Sequence, residues 1–169
     1  MVKYLKVFVL AAFAMMATQA MAQGKIAVVD IQRAILETDA AKTRLDGLRQ
    51  DASYVENKKE LEKIQQEGQD LLEKLQKDGP TMSAEQKNGQ QAKLKEKQAD
   101  LKHVAGKLQA SEQQLARQIL VEMEAPARAA ISTVIKEEGI GLLLDAQAAL
   151  HADTSYDITA KITQKLNSN

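Results

Sequence analysis

The sequence predicts an α+β chain: a small β-body that self-association completes, carrying a long, protruding, antiparallel α-helical coiled-coil hairpin. Three observations carry that expectation. A short β-branched run, Lys25-Ile26-Ala27-Val28-Val29-Asp30-Ile31, has the length and composition of a buried strand. Leu94, Gln98, Leu101, Ala105, Leu108, Glu112, Leu115, Ile119 and Met123 alternate spacings of four and three, the repeat of a coiled-coil seam. Asp78-Gly79-Pro80 interrupts the helical pattern midway, so the helices on either side fold back on each other.

Ahead of the first strand, Lys3 and Lys6 precede an apolar stretch from Val7 to Met16, and Ala20-Met21-Ala22 forms a small-x-small site before Gln23. This is the pattern of a cleaved secretory signal over 1–22. The apolar stretch is too short to span a bilayer, and no later segment replaces it. With no cysteine in the chain, neither a lipid-bearing Cys nor a disulfide is available. The expected location is a bacterial periplasm, and the expected fold is held by packing or association alone.

Losing Lys3 and Lys6 reduces the 23 basic residues to 21 against 23 acidic ones, a net charge of −2. No global field selects nucleic acid as a partner. Tyr54 and Tyr156 are the only aromatic residues left after residue 22, which argues against a large globular core.

After the first strand, the pattern turns helical near Ile35. Leu45, Leu48, Ala52 and Val55 lead into Leu61, Ile64, Leu71 and Leu75, with a slip of phase between Val55 and Leu61 and a gap on the stripe at Gly68. Gly79 is expected to end this helix in a left-handed cap, and Pro80 cannot continue it. Ser83, with Gln86 three residues on, forms a capping box that starts the return helix after a turn near 79–82. Gln98 and Glu112 interrupt the apolar seam, and Ala105 is small, so the hairpin is stiff but lightly packed. At about 1.5 Å per residue, the outgoing arm from Lys42 to Asp78 is roughly 55 Å long.

Pro126 is expected to bend the return helix, which ends near Gly139. Ile140 to Leu144 reads as a second strand, Ala148 to His151 as a third, and Asp157 caps a last helix from Ile158 to Leu166. The organisation is therefore 23–41 with 126–169 as the body and 42–125 as the hairpin. Short strands from one chain make a marginal sheet, which oligomerisation through Ile26, Val28, Val29, Leu142, Leu143 and Leu144 would remedy.

Lys25-Ile26-Ala27-Val28-Val29-Asp30, Leu142-Leu143-Leu144-Asp145-Ala146 and Asp157-Ile158-Thr159-Ala160, in that order around a helical hairpin and behind a signal, resemble the Skp/OmpH family of periplasmic chaperones. The resemblance implies a homotrimer with one shared β-body and three hairpins around a cavity. It implies an ATP-independent holdase that binds unfolded outer-membrane β-barrel proteins and prevents their aggregation before membrane assembly. Family members are strongly basic, and this chain departs from them in net charge.

Charge is nevertheless uneven along the return helix, where Lys87, Lys93, Lys95, Lys97, Lys102 and Lys107 outnumber Glu96 and Asp100. Candidate client-binding residues are therefore Met82, Lys87, Lys93, Leu94, Lys95, Lys97, Val104 and Lys107. The lysines are also a candidate contact for a membrane surface or lipopolysaccharide phosphates, although no cluster matches the lipopolysaccharide site of the family. The plainer reading is a solvated face balanced by Glu67, Asp70 and Glu73.

No catalytic, cofactor-binding or metal-binding site is expected. His103 and His151 have no grouped partners, Asp153-Thr154-Ser155-Tyr156-Asp157 lacks the ligand spacing of a calcium loop, and neither a phosphate loop nor a nucleophile elbow is present. The alternative to a holdase is a periplasmic coiled-coil tether or adaptor that docks on one folded partner.

Overall fold

The computed structural model describes residues 24–168. The signal expected over 1–22 lies outside them. The elements in order are β1 (Lys25–Val29), α1 (Ile31–Leu36), α2 (Asp39–Gln50), α3 (Ala52–Asp78), α4 (Ala84–Glu122), α5 (Glu124–Glu138), β2 (Ile140–Asp145), two short 3-10 turns (Ala146–Ala148 and Thr154–Tyr156) and α6 (Thr159–Asn167). They divide into two compact units, 24–38 with 123–168 and Asp39–Glu122.

In the first unit β1 and β2 pair in parallel, with Ile26 opposite Leu142 and Val28 opposite Leu144. Parallel strands need a long crossover, and the chain from α1 to α5 supplies it. One side of the sheet packs on helices: Ala27, Val29, Ala34, Ile35, Ala127, Ala130, Val134, Ile158, Ile162 and Leu166 are all buried. Thr159 is also buried, and its hydroxyl accepts the backbone N–H of Asp30 at 2.9 Å, tying α6 to the end of β1. Asp157 accepts the N–H of Thr159 at 2.8 Å and the Arg33 guanidinium at 2.6 Å, holding the turn ahead of the last helix, whose N-cap is Ile158, one residue later than the sequence places it. Burial acts to raise the Asp157 carboxyl, but the bonds from Thr159 and Arg33 outweigh it and hold the group below its ordinary value.

The third strand expected at Ala148–His151 does not form. Asp145 accepts the N–H of Gln147 at 2.8 Å and tightens the chain into a 3-10 turn. The third contact with β1 is instead an isolated bridge between Val28 and Asp157.

The second unit is the helical hairpin. Its outgoing arm is not one helix from Ile35. Thr38 ends α1 by bonding through both its N–H and its hydroxyl to the Ile35 carbonyl. Asp51 breaks the chain again by capping the N–H and hydroxyl of Ser53 at 2.8 and 2.6 Å. At the far end Gly79 is right-handed, φ −51°, rather than left-handed as expected. Glycine is required there because a Cβ would collide with the Leu75 carbonyl. The left-handed cap lies at Gly139, φ 66°, where α5 gives way to β2.

Ser83 and Gln86 make both bonds of the capping box, Gln86 N–H to the Ser83 hydroxyl at 3.2 Å and Ser83 N–H to the Gln86 amide oxygen at 2.9 Å. α4 then runs unbroken to Glu122. Pro126, which has no N–H to offer the Glu122 carbonyl, sits in the first turn of α5, so the ladder stops at Met123 and restarts.

Candidate client-binding surfaces

The hairpin carries its apolar residues on the facing sides of α3 and α4. Ile64, Val104, Leu108 and Ile119 are buried there, and Leu71, Leu75, Leu94, Leu101 and Leu115 are half-buried. The arms are cross-linked at three levels. Arg44 meets Glu122 at 2.5 Å, and Lys97 meets Glu67 at 2.5 Å. Between them Glu112 accepts both the Tyr54 hydroxyl at 2.8 Å and Arg49 Nε at 3.4 Å.

These pairs leave an electrostatic trace. The hydrogen bond from Lys97 holds the Glu67 carboxyl below its ordinary value, and the hydrogen bond from Arg44 does the same to Glu122. The Tyr54 phenol is pushed up, chiefly by its bond to Glu112 and then by burial. Glu112 interrupts the apolar seam in the sequence, and the tyrosine and arginine opposite explain its presence. The sequence reading missed this clamp; an acid on a seam position of one arm and Tyr54 on the other was the available signal.

The expected client-binding residues do not form one patch. Lys93, Lys95 and Lys107 are exposed, and Met82, Lys87 and Leu94 are half-exposed. Lys93 and Lys95, two residues apart on a helix, flank the seam on opposite sides. Two members are engaged within the hairpin. Lys97 is engaged with Glu67, and Val104 is 2 % exposed, packed between the arms because it shares the buried face with Leu101 and Leu108. A client cannot reach Val104 on the closed hairpin.

In the sheet the six expected residues differ in exposure. Val28 and Val29, at 5 % and 2 % exposed, are already covered within the protomer. Leu143 is half-buried, while Ile26, Leu142 and Leu144 remain 53 %, 48 % and 40 % exposed. The register places these three on one side of the sheet with Val28. Among the described residues β2 pairs with β1 alone, which leaves its other edge open. Leu150, just beyond, is fully exposed.

Among the described residues no cluster of three His, Cys, Asp or Glu could hold a metal ion, and no helix is long and apolar enough to cross a membrane. The surfaces on offer are open, aliphatic and bordered by charge, suited to many weak contacts.

The family model described as Outer membrane protein (OmpH-like) matches residues 25–166. The chain is 27% identical over 165 residues to a Skp-like protein of Pseudomonas aeruginosa, covering 98% of this chain and 97% of the relative. It is 26% identical over 156 residues to the chaperone protein Skp of Yersinia enterocolitica, covering 90% of this chain and 92% of the relative. A crystal structure of an OmpH-like protein from Caulobacter crescentus shares 19% identity and a TM-score of 0.44, over 90% of this chain and 89% of that one.

Proposed function

Because the chain belongs to the OmpH-like outer membrane protein family, we propose that it is a periplasmic, ATP-independent holdase chaperone that binds unfolded outer-membrane β-barrel proteins and keeps them from aggregating. Relatives of matching length bear the name chaperone protein Skp, which supports the reading. The observation that carries it is the half-covered aliphatic stripe of the hairpin, Leu71, Leu75, Leu94 and Leu101, with Met82 at the turn. Side chains of this size and exposure hold an unfolded chain by many contacts, each weak enough to break in turn. Release then needs no nucleotide.

The active unit is a homotrimer closed through Ile26, Leu142 and Leu144 and the free edge of β2. Three hairpins sharing one client raise the effective concentration of each further contact. Lys87, Lys93, Lys95 and Lys107 border the aliphatic stripe and draw acidic segments to it at long range, an effect screened beyond about 8 Å at physiological salt.

The test is light scattering on the mature protein, repeated after diluting a urea-unfolded outer-membrane β-barrel into it. A trimer that forms a soluble complex with several unrelated clients supports the proposal. A chain that leaves every client to precipitate but captures one folded protein stoichiometrically replaces it with a tether.

A further inference from the structure

The hairpin is packed unevenly along its length. Toward its open end, between α2 or the start of α3 and the second half of α4, Val104, Leu108 and Ile119 are buried, and the Arg44–Glu122 and Tyr54–Glu112–Arg49 links bind the arms together. From Gln65 to His103, by contrast, Gly79 in the turn is the one buried residue. Leu72 is 45 % exposed there.

The cause lies in the stripe itself. Gly68 occupies the position where an aliphatic side chain would bridge the arms, and a Cβ built on it meets nothing within 4 Å. A cleft of about 350 Å³ opens beside it, lined by Ile64, Leu72, Leu94, Gln98 and Leu101 among others. Gln90 adds a further weakness, since its amide oxygen is enclosed without a partner. Lys97–Glu67 is the ion pair that joins the two arms in this half among the described residues.

We propose that the turn half of the hairpin opens ahead of the rest, parting α3 from α4 between Gly68 and Leu101, and that the stripes so uncovered receive the aliphatic side chains of an unfolded client. The second clause rests on the chaperone reading above. Regions with few buried apolar contacts open at the lowest free energy, while the better packed half remains closed as a stem. An unfolded β-barrel strand carries an aliphatic side chain at every second residue, and these replace the partner helix on each stripe. In the closed state each arm half-covers the other's stripe, which limits the apolar surface through which free protein could self-aggregate. Client binding is then a competition with the hairpin's own seam, and this sets its modest affinity.

Hydrogen exchange read by mass spectrometry on the full mature protein tests the opening. Peptides spanning 65–78 and 88–101 should exchange at least tenfold faster than 104–119; equal rates would overturn the proposal. Gly68→Leu places an aliphatic side chain in the cleft and should slow exchange of the turn half about tenfold. An unchanged rate would remove the cleft from the argument and overturn the mechanism.

The same variant should suppress aggregation of a urea-diluted β-barrel protein several-fold less well. An added apolar side chain acting merely as extra sticky surface would improve suppression, the opposite sign, and that result would overturn the client half of the proposal. If the wild-type protein suppresses nothing, the chaperone reading fails, and the exchange contrast still decides the opening by itself.

Discussion

Leu142→Ala provides a quantitative test of the sheet surface. Leu142 is 48 % exposed on a face that Ile26 and Leu144 share, at 53 % and 40 %. Complete burial of a leucine is worth roughly 2 kcal/mol, so covering its remaining half contributes about 1 kcal/mol per copy. In the proposed trimer, three copies around one axis would lose about 3 kcal/mol, roughly a 100-fold weaker association at about 1.4 kcal/mol per decade. Because the side chain faces away from the chain's own core, the helical signal and the folded protomer should persist. Leu142→Asp should go further, since closing the face would then bury three carboxylates together. The assay is sedimentation equilibrium across a concentration series, with circular dichroism as the check on folding. If Leu142→Asp remains as fully associated as wild type, the sheet face is not where copies meet, and the argument from its exposure is wrong.

Other consequences are more local. Ile119→Ala removes a 1 % exposed side chain from the hairpin and should cost about 2–3 kcal/mol of stability in urea unfolding, whereas Val121→Ala, at 74 % exposure, should change it by less than about 0.5 kcal/mol. Asp157→Ala loses the bonds to Thr159 and Arg33 and should destabilise the first unit by about 1 kcal/mol, read as a lower urea midpoint. Glu67 and Glu122 have carboxyls held below their ordinary value of 4.5 by Lys97 and Arg44. A depressed folded value means that the stabilisation is complete above pH 4.5 and is lost as pH falls below it through the folded value. Urea midpoints at pH 7, 4 and 3 should therefore decline, and less so in high salt because both pairs are exposed. A decline equally steep in Glu67→Gln/Glu122→Gln protein would assign it to other groups.

Much of the architecture was legible because it rests on local chemistry. The β-branched run of β1 and the Ser83–Gln86 box carry their own signals within a few residues, and the structure places strand and cap where those signals lie. The helix breaks at Thr38 and Asp51 were missed because each residue has an alternative: continue the helix or bond its neighbours through a side-chain oxygen. The third strand failed for a similar reason. Asp145, the last residue of β2, takes the N–H of Gln147 through its side chain and turns the chain into a 3-10 turn before Ala149. For the candidate site, the periodicity named the seam but not its depth. Val104 and Ala105 are adjacent, and which of them points at α3 depends on the rotation of α4 about its axis, which pairwise packing with Ile64 and its neighbours sets.

The sequence by itself determined β1 and β2, the helical hairpin with its turn near 79–82, the Ser83–Gln86 capping box and the family to which the chain belongs, because these depend on short-range spacing and residue type. Only the tertiary structure decided that the two strands run parallel, that Ile26, Leu142 and Leu144 stay exposed while Val28 on the same face is covered, and that Glu112 answers Tyr54 and Arg49. Those outcomes join residues more than fifty positions apart. Their geometry follows from how whole faces pack, which no local pattern encodes.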